Sequence, residues 1–87
     1  MKLMIVIVHD TDSDAVLQAL LGQGFRVTRV ASTGGFLRRG NVTLLIGVEA
    51  EKVDSVLEIL KQTTRPIEQA QHRATVFVVD MPYFEQI

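Results

Sequence analysis

The chain has 87 residues, of which 47% are hydrophobic, and it carries a formal net charge of −1 and no cysteine. This length predicts a single small domain, residues 1–87. The near-neutral charge argues against nucleic acid as a partner, since no general positive field would attract phosphates, and the lack of cysteine excludes disulfides and thiolate metal sites.

Three elements are predicted in the first third of the chain. Residues 2–8 are a continuous apolar run rich in β-branched side chains, which is typical of a central strand buried on both faces. Thr11 or Asp12 is expected to cap a helix that two glycines then end. Residues 25–31 alternate imperfectly between apolar and polar side chains, as a strand with one face in water does.

The remaining elements follow in the same way. Residues 41–48 are predicted to form a strand, and residues 49–63 carry apolar side chains at helical spacing. A polar connector, residues 64–72, leads to the last long strand, residues 74–79. The tail, residues 81–87, is a candidate edge strand.

This order of elements, β-α-β-β-α-β, predicts an α+β ferredoxin-like fold, in which two helices cover one face of an antiparallel sheet. If the other face carries apolar side chains it needs a partner surface, so we expect an oligomer. No run approaches the ~18 apolar residues of a membrane span, and the apolar N-terminal run lacks a signal-peptide cleavage site. We therefore expect a cytoplasmic protein with no membrane partner.

The most informative segment is residues 25–41, where a basic strand leads into a glycine-rich loop. The backbone N–H groups of Gly34 and Gly35 can form a concave anion site. Arg26 offers a planar fork for phosphate oxygens, and Phe36 can stack on a base. These parts predict a phosphorylated, nucleotide-like ligand. No nucleophile or general base accompanies them, so we predict a binding protein and not an enzyme.

The same segment resembles a known family. Residues 25–41, 43–48 and 74–78 are similar to the PII-like cyclic-di-AMP receptors over nearly the whole chain, and residues 33–41 are the most specific part. The resemblance implies a homotrimer that binds cyclic-di-AMP in clefts between subunits, without a cofactor, and signals to an unknown downstream protein. The family's ligand-contacting positions that match here are Arg26, Thr28, Gly35, Phe36, Leu37, Asn41, Gly47, Phe77 and Gln86.

The connector departs from the family pattern. The family usually carries a much longer loop before its last long strand, whereas this chain has only residues 65–73, with His72 and Arg73 where the family tends to have two glycines. Two alternatives therefore stay open. The chain could sense another adenine nucleotide, or it could be a regulatory subunit that binds no small molecule and acts through protein contacts.

Several candidates also have purely structural interpretations. Phe36 could be a core or trimer contact, and Phe77 could pack in the core. Asn41 could stabilise its own turn. Gly47 within a strand marks either a bulge or a close approach to the backbone. Lys52 is expected on a solvated helix face.

The acidic segment, residues 10–14, invites a calcium interpretation, which fails. An EF-hand loop beginning at Asp10 would need Gly and Glu where the chain has Ala15 and Leu21. We expect these acidic side chains to favour the N-terminus of the helix, and we predict no metal site. A ferredoxin-like fold with one Arg and one Asn also resembles acylphosphatase, but that family binds phosphate after its first strand, where these carboxylates would repel an anion.

Overall fold

The computed structural model describes residues 1–30, 40–65 and 73–87. Its elements in chain order are β1 (Lys2–His9), α1 (Asp10–Gly22), β2 (Val27–Val30), β3 (Asn41–Val48), a 3₁₀ turn (Ala50–Lys52), α2 (Val53–Thr63) and β4 (Ala74–Asp80). The described strands form an antiparallel sheet in the order β2-β3-β1-β4. The predicted fold class is confirmed.

The hydrophobic core lies between one face of the sheet and the two helices. Alternate residues of each strand point to the same face, and residues three or four apart share one face of a helix. The strands supply Met4, Val6, Val8, Leu44 and Ile46, and the helices supply Val16, Leu20, Val56 and Leu60; all of these side chains are buried.

Strand β1 is central in the sheet, as its apolar sequence predicts, but the expectation that both of its faces are buried is wrong, since its residues alternate between buried and half-buried. It pairs with β3 from Lys2↔Val48 to His9↔Asn41 and with β4 from Lys2↔Asp80 to Val8↔Ala74. At the end of the strand the Lys2 ammonium donates a hydrogen bond to the Asp80 carboxylate. This hydrogen bond, together with the nearby positive charge, lowers the pKa of Asp80 below its usual value.

The predicted cap of α1 is wrong. The helix begins at Asp10 with His9 in the cap position, so neither Thr11 nor Asp12 precedes it. Asp12 is instead buried, with 4% of its surface exposed, and its Oδ1 accepts a hydrogen bond from Nε of Arg65 at 3.1 Å. A second hydrogen bond, at 3.2 Å, joins the Arg65 guanidinium to the Thr11 carbonyl. The first turn of α1 is thus joined to the chain that follows α2.

The glycine signal at the end of α1 is confirmed. Gly24 adopts a φ of +86°, which residues with a Cβ rarely tolerate. Its N–H bonds the Leu21 carbonyl at 3.0 Å, and the N–H of Phe25 bonds the Leu20 carbonyl at 3.1 Å. These two bonds form a Schellman motif, which directs Phe25 back onto the core.

The second helix is shorter than predicted. Residues 50–52 form a 3₁₀ turn, in which the Lys52 N–H bonds the Glu49 carbonyl at 2.9 Å, and α2 begins only at Val53. At the other end, the Arg73 guanidinium donates hydrogen bonds to the carbonyls of Lys61 and Thr64 and to the Thr64 hydroxyl. These hydrogen bonds connect the residue before β4 to the end of α2. The positive charge of Arg73 is also favourable there, because it lies at a helix C-terminus.

Two further expectations need correction. The solvent-exposed residues of strand β2 are not confined to one face, because Thr28 and Arg29 are both exposed and lie on opposite faces. Arg29 forms an ion pair at 3.7 Å with Asp14 of α1. The tail, residues 81–87, adds no strand to the sheet. Pro82 has no N–H to offer a strand ladder.

Candidate ligand site on the open sheet face

The sheet face opposite the helices has no covering layer among the described residues. It carries apolar side chains from three strands: Leu3, Ile5, Ile7, Leu45, Phe77 and Val79, by the register of β1 with β3 and β4. At the β4 edge, Phe77 is 52% and Val79 47% exposed. A continuous apolar surface of this kind is characteristic of an interface or a ligand site. We call it the open face.

Thr28 and Phe77 lie in the same row across the open face but at opposite edges. Thr28 pairs with Leu45, Leu45 with Ile5, and Ile5 with Phe77. Three strand spacings of about 4.8 Å separate the two residues, which places them about 14 Å apart. One base cannot contact both of them in a single subunit. The exposure of Phe77 also shows that it is not a core residue, which corrects the core-packing interpretation.

Gly47 lies on the open face near the end of β3. It pairs with Leu3 in a continuous register, so the bulge interpretation is wrong. A Cβ at this position would lie 3.4 Å from Cε of Met81 and 3.8 Å from Cε of Met1. The space above Gly47 is therefore filled by the ends of two flexible side chains, which another group could displace.

Asn41 lies at the opposite end of β3, six residues from Gly47. At about 3.4 Å per residue the two are about 20 Å apart. Asn41 pairs with His9 and follows Gly40, whose φ of +85° makes the turn into the strand. The Gly40 carbonyl accepts a hydrogen bond from the Asp10 N–H at 2.8 Å, so this turn is fixed to α1 by backbone groups.

Arg26 immediately precedes β2 and has an exposed side chain. It lines a cavity of about 210 Å³ with Gly47, Met1 and Phe25, at the end of the sheet where β2 begins and β3 ends. Thr28 follows two residues later and pairs with Leu45, two residues before Gly47. Three of the predicted ligand residues, Arg26, Thr28 and Gly47, are thus grouped at one corner of the open face.

The other predicted ligand residues are placed less closely. Gln86 lies in the tail and is exposed. Gly35, Phe36 and Leu37 lie outside the described residues, as does most of the glycine-rich loop. The sequence analysis predicts no ligand role for Met1, Met81 or Lys52, all of which border Gly47 or its cavity. Their proximity depends on how β1, β3 and the 3₁₀ turn pack together, which no local motif reveals.

The described parts of the chain contain neither a cluster of metal-binding side chains nor a helix that could span a membrane. Residues 1–30, 40–65 and 73–87 contain no group of three or more His, Asp or Glu side chains arranged to hold a metal ion. Within the same residues, neither helix has the length and apolar character needed to cross a membrane.

The chain is similar to a known protein family and to many solved structures. Residues 1–73 match the model of a family described as cyclic-di-AMP receptor. Among solved structures, a functionally unknown protein from Pediococcus pentosaceus ATCC 25745 is 38% identical, with a TM-score of 0.79. That match covers 99% of this chain and 96% of the other. The family match includes Arg26, Asn41 and Gly47 and ends before Phe77 and Gln86.

Proposed function

Because the chain belongs to the cyclic-di-AMP receptor family, we propose that it is a PII-like signal-transduction protein that binds cyclic-di-AMP in clefts between the subunits of a homotrimer. The ligand is not transformed. It changes a surface that a downstream protein recognises. The observation that carries the proposal is the family match, and the exposed apolar face gives the ligand and the neighbouring subunits a place to bind.

The separation of the candidate residues supports a cleft shared by two subunits. Thr28 and Phe77 are about 14 Å apart, and Gly47 and Asn41 about 20 Å, when taken from the strand spacings. A compact ligand reaches such a set more readily if one subunit contributes one edge of its open face and a second subunit contributes another. Burying the open face between copies would also remove exposed apolar surface from water.

Within that cleft we assign roles by chemistry. The backbone N–H groups around Gly35, with Arg26 and Thr28, bind phosphate oxygens. Phe36 and Leu37 pack against a base, and Phe77 adds an apolar edge. The amides of Asn41 and Gln86 offer hydrogen bonds to base edges, and Gly47 allows a base to approach the strand backbone.

At the upper end of their usual strength, these contacts are sufficient for micromolar binding. A charge-assisted hydrogen bond contributes roughly 1.5–3 kcal/mol, and stacking contributes about 1–3 kcal/mol per base in single-strand binders. Two contacts of each kind give about 5–12 kcal/mol before association costs of several kcal/mol are subtracted. A micromolar Kd requires about 8 kcal/mol, which lies within reach.

A second function is favoured by the connector. Both of its described ends are held by hydrogen bonds, from Arg65 to Asp12 and from Arg73 to the end of α2. Few residues lie between Arg65 and Arg73. Because the connector is short and its two ends are held, few residues could change conformation when a ligand binds. In this alternative, the protein is a regulatory subunit that binds no small molecule and uses the open face only for contacts with other proteins. A sensor of another adenine nucleotide is the intermediate case.

Isothermal titration calorimetry separates these functions. The purified protein is titrated with cyclic-di-AMP and, in parallel, with cyclic-di-GMP, AMP and ATP. We expect saturable binding of cyclic-di-AMP near one ligand per subunit. Stronger binding of AMP or ATP would indicate a sensor of another adenine nucleotide, and no binding of any of them would indicate the regulatory subunit.

A matched pair of variants tests the location of the site. Arg26→Ala removes the guanidinium at the corner of the open face and is expected to weaken binding about tenfold or more, the value of one charged hydrogen bond. Arg29→Ala removes a guanidinium that faces Asp14 on the helix side and should leave affinity unchanged. Equal affinities for the two variants would contradict the proposed site. Light scattering after size-exclusion chromatography checks the trimer.

A further inference from the structure

The cavity beside Arg26 contains a second positive side chain. Besides Arg26 and Gly47, it is lined by Lys52 and Glu49. Lys52 is the last residue of the 3₁₀ turn and precedes α2 directly. The hydrogen bond from its N–H to the Glu49 carbonyl at 2.9 Å fixes the turn, so the backbone holds the Lys52 side chain at the cavity. The helical pattern of the sequence had suggested only a solvated helix face for this residue.

Arg26 and Lys52 differ from most other cations of the described residues. The described cations that bind a carboxylate or a carbonyl oxygen are Lys2, Arg29, Arg65 and Arg73. Arg26 and Lys52 form no ion pair with any carboxylate in residues 1–30, 40–65 and 73–87. Glu49 lines the same cavity and likewise forms no ion pair within that part of the chain. The lining therefore includes two positively charged residues and one negatively charged residue, none of them in an ion pair within the described residues.

We propose that Lys52 is a further ligand-binding residue, which joins Arg26 in binding one phosphodiester of the nucleotide. This inference rests on the proposed function. The charged side chains in the lining, those of Arg26, Lys52 and Glu49, sum to one positive charge, which is equal and opposite to the charge of a phosphodiester. A terminal phosphate carries a larger negative charge near neutral pH, so removal of the Glu49 charge would improve its binding more than that of a phosphodiester.

Three glutamine variants test the assignment by calorimetry with cyclic-di-AMP. Lys52→Gln should weaken binding about fivefold, the factor for two unit charges about 4 Å apart in water. Glu49→Gln should strengthen the binding of cyclic-di-AMP and strengthen that of AMP further. Lys61→Gln is the matched control, because Lys61 is an exposed lysine near the other end of α2 and should not affect binding. Thermal melts check that all three variants remain folded.

The salt dependence gives a second readout. The Debye length falls from about 30 Å at 0.01 M salt to about 3 Å at 1 M. If Lys52 binds phosphate, the difference in affinity between wild type and Lys52→Gln should shrink at high salt. If the wild-type protein binds cyclic-di-AMP and Lys52→Gln binds it equally well at every salt concentration, this inference is wrong and the proposed function stands. If the wild-type protein binds no nucleotide, both are wrong.

Discussion

Gly47 allows stability and ligand binding to be changed in opposite directions. The position lies in β3 on the open face, and its φ is not in the left-handed region, unlike those of Gly24 and Gly40. A Cβ there would lie at 3.4 Å and 3.8 Å from two methionine methyl groups, which are ordinary contact distances. Alanine at position 47 is therefore compatible with the fold.

The size of the effect follows from these contacts. Replacing Gly by Ala where the backbone permits it stabilises a protein by about 0.4–1 kcal/mol, mainly by restricting the unfolded chain. For a domain of this length that corresponds to a rise in Tm of roughly 2–8 °C. Ligand binding should suffer, because the new methyl group occupies the space in which a base approaches the strand. Overpacking by one methyl group costs typically about 1–3 kcal/mol, a five- to 150-fold loss of affinity.

The assay compares Gly47→Ala with Gly22→Ala at one protein concentration. Gly22 ends α1 and has no atom within 4 Å of its hypothetical Cβ, so the same substitution there should stabilise the fold without touching the ligand. Thermal melts and calorimetry with cyclic-di-AMP are measured for both. A lower Tm for Gly47→Ala would refute the reasoning about space, and an unchanged affinity would refute the close approach of a base.

Three further predictions concern the fold and the open face. Arg65→Ala leaves the buried Asp12 carboxylate without its partner and should lower the free energy of unfolding by about 1–3 kcal/mol. Arg29→Ala breaks an exposed ion pair and should lower it by less than about 1 kcal/mol. Equal losses for the two variants in urea unfolding would contradict this prediction. Val79→Glu places a charge on the open face and should dissociate the proposed trimer. The far-UV circular dichroism of the subunit should stay unchanged. A variant that light scattering shows to be trimeric would contradict the proposed interface. The lowered pKa of Asp80 means that its hydrogen bond with Lys2 stabilises the fold at neutral pH and is lost as the carboxylate is protonated below about pH 4. The Tm values of wild type and Lys2→Met should therefore differ at pH 7 and converge in acid. A difference in Tm that stayed constant with pH would refute this assignment.

The sequence predicted most of the fold because the signals for its elements are local. Strand β3 has the predicted bounds, since a glycine turn precedes it and alternate side chains point into the core. The start of α1 was mispredicted for a non-local reason. A carboxylate near a helix start usually caps it, but Asp12 binds Arg65, which is 53 residues further along the chain.

The candidate site was predictable only in part, for a related reason. The resemblance to a family supplied residues one position at a time, and the sheet register shows that Arg26, Thr28 and Gly47 share a corner. Lys52 was missed because its periodicity resembles that of a solvated helix residue. Its place in the lining depends on how the 3₁₀ turn lies relative to Arg26 and Gly47, which no local pattern in the sequence reveals.

The location of the ligand determines how binding and assembly must be linked. If cyclic-di-AMP binds between subunits, it binds the trimer more tightly than the free subunit, and by reciprocity it must strengthen the association of subunits by the same factor. At a ligand concentration about 100-fold above Kd, each occupied site adds about 2.7 kcal/mol. Dilution of the protein with and without ligand, followed by mass photometry or sedimentation, measures this directly. We expect the midpoint of dissociation to move to lower protein concentration in the presence of ligand. A ligand that binds with its full affinity and leaves this midpoint unchanged would have to lie within one subunit, which would refute the shared cleft while preserving the receptor.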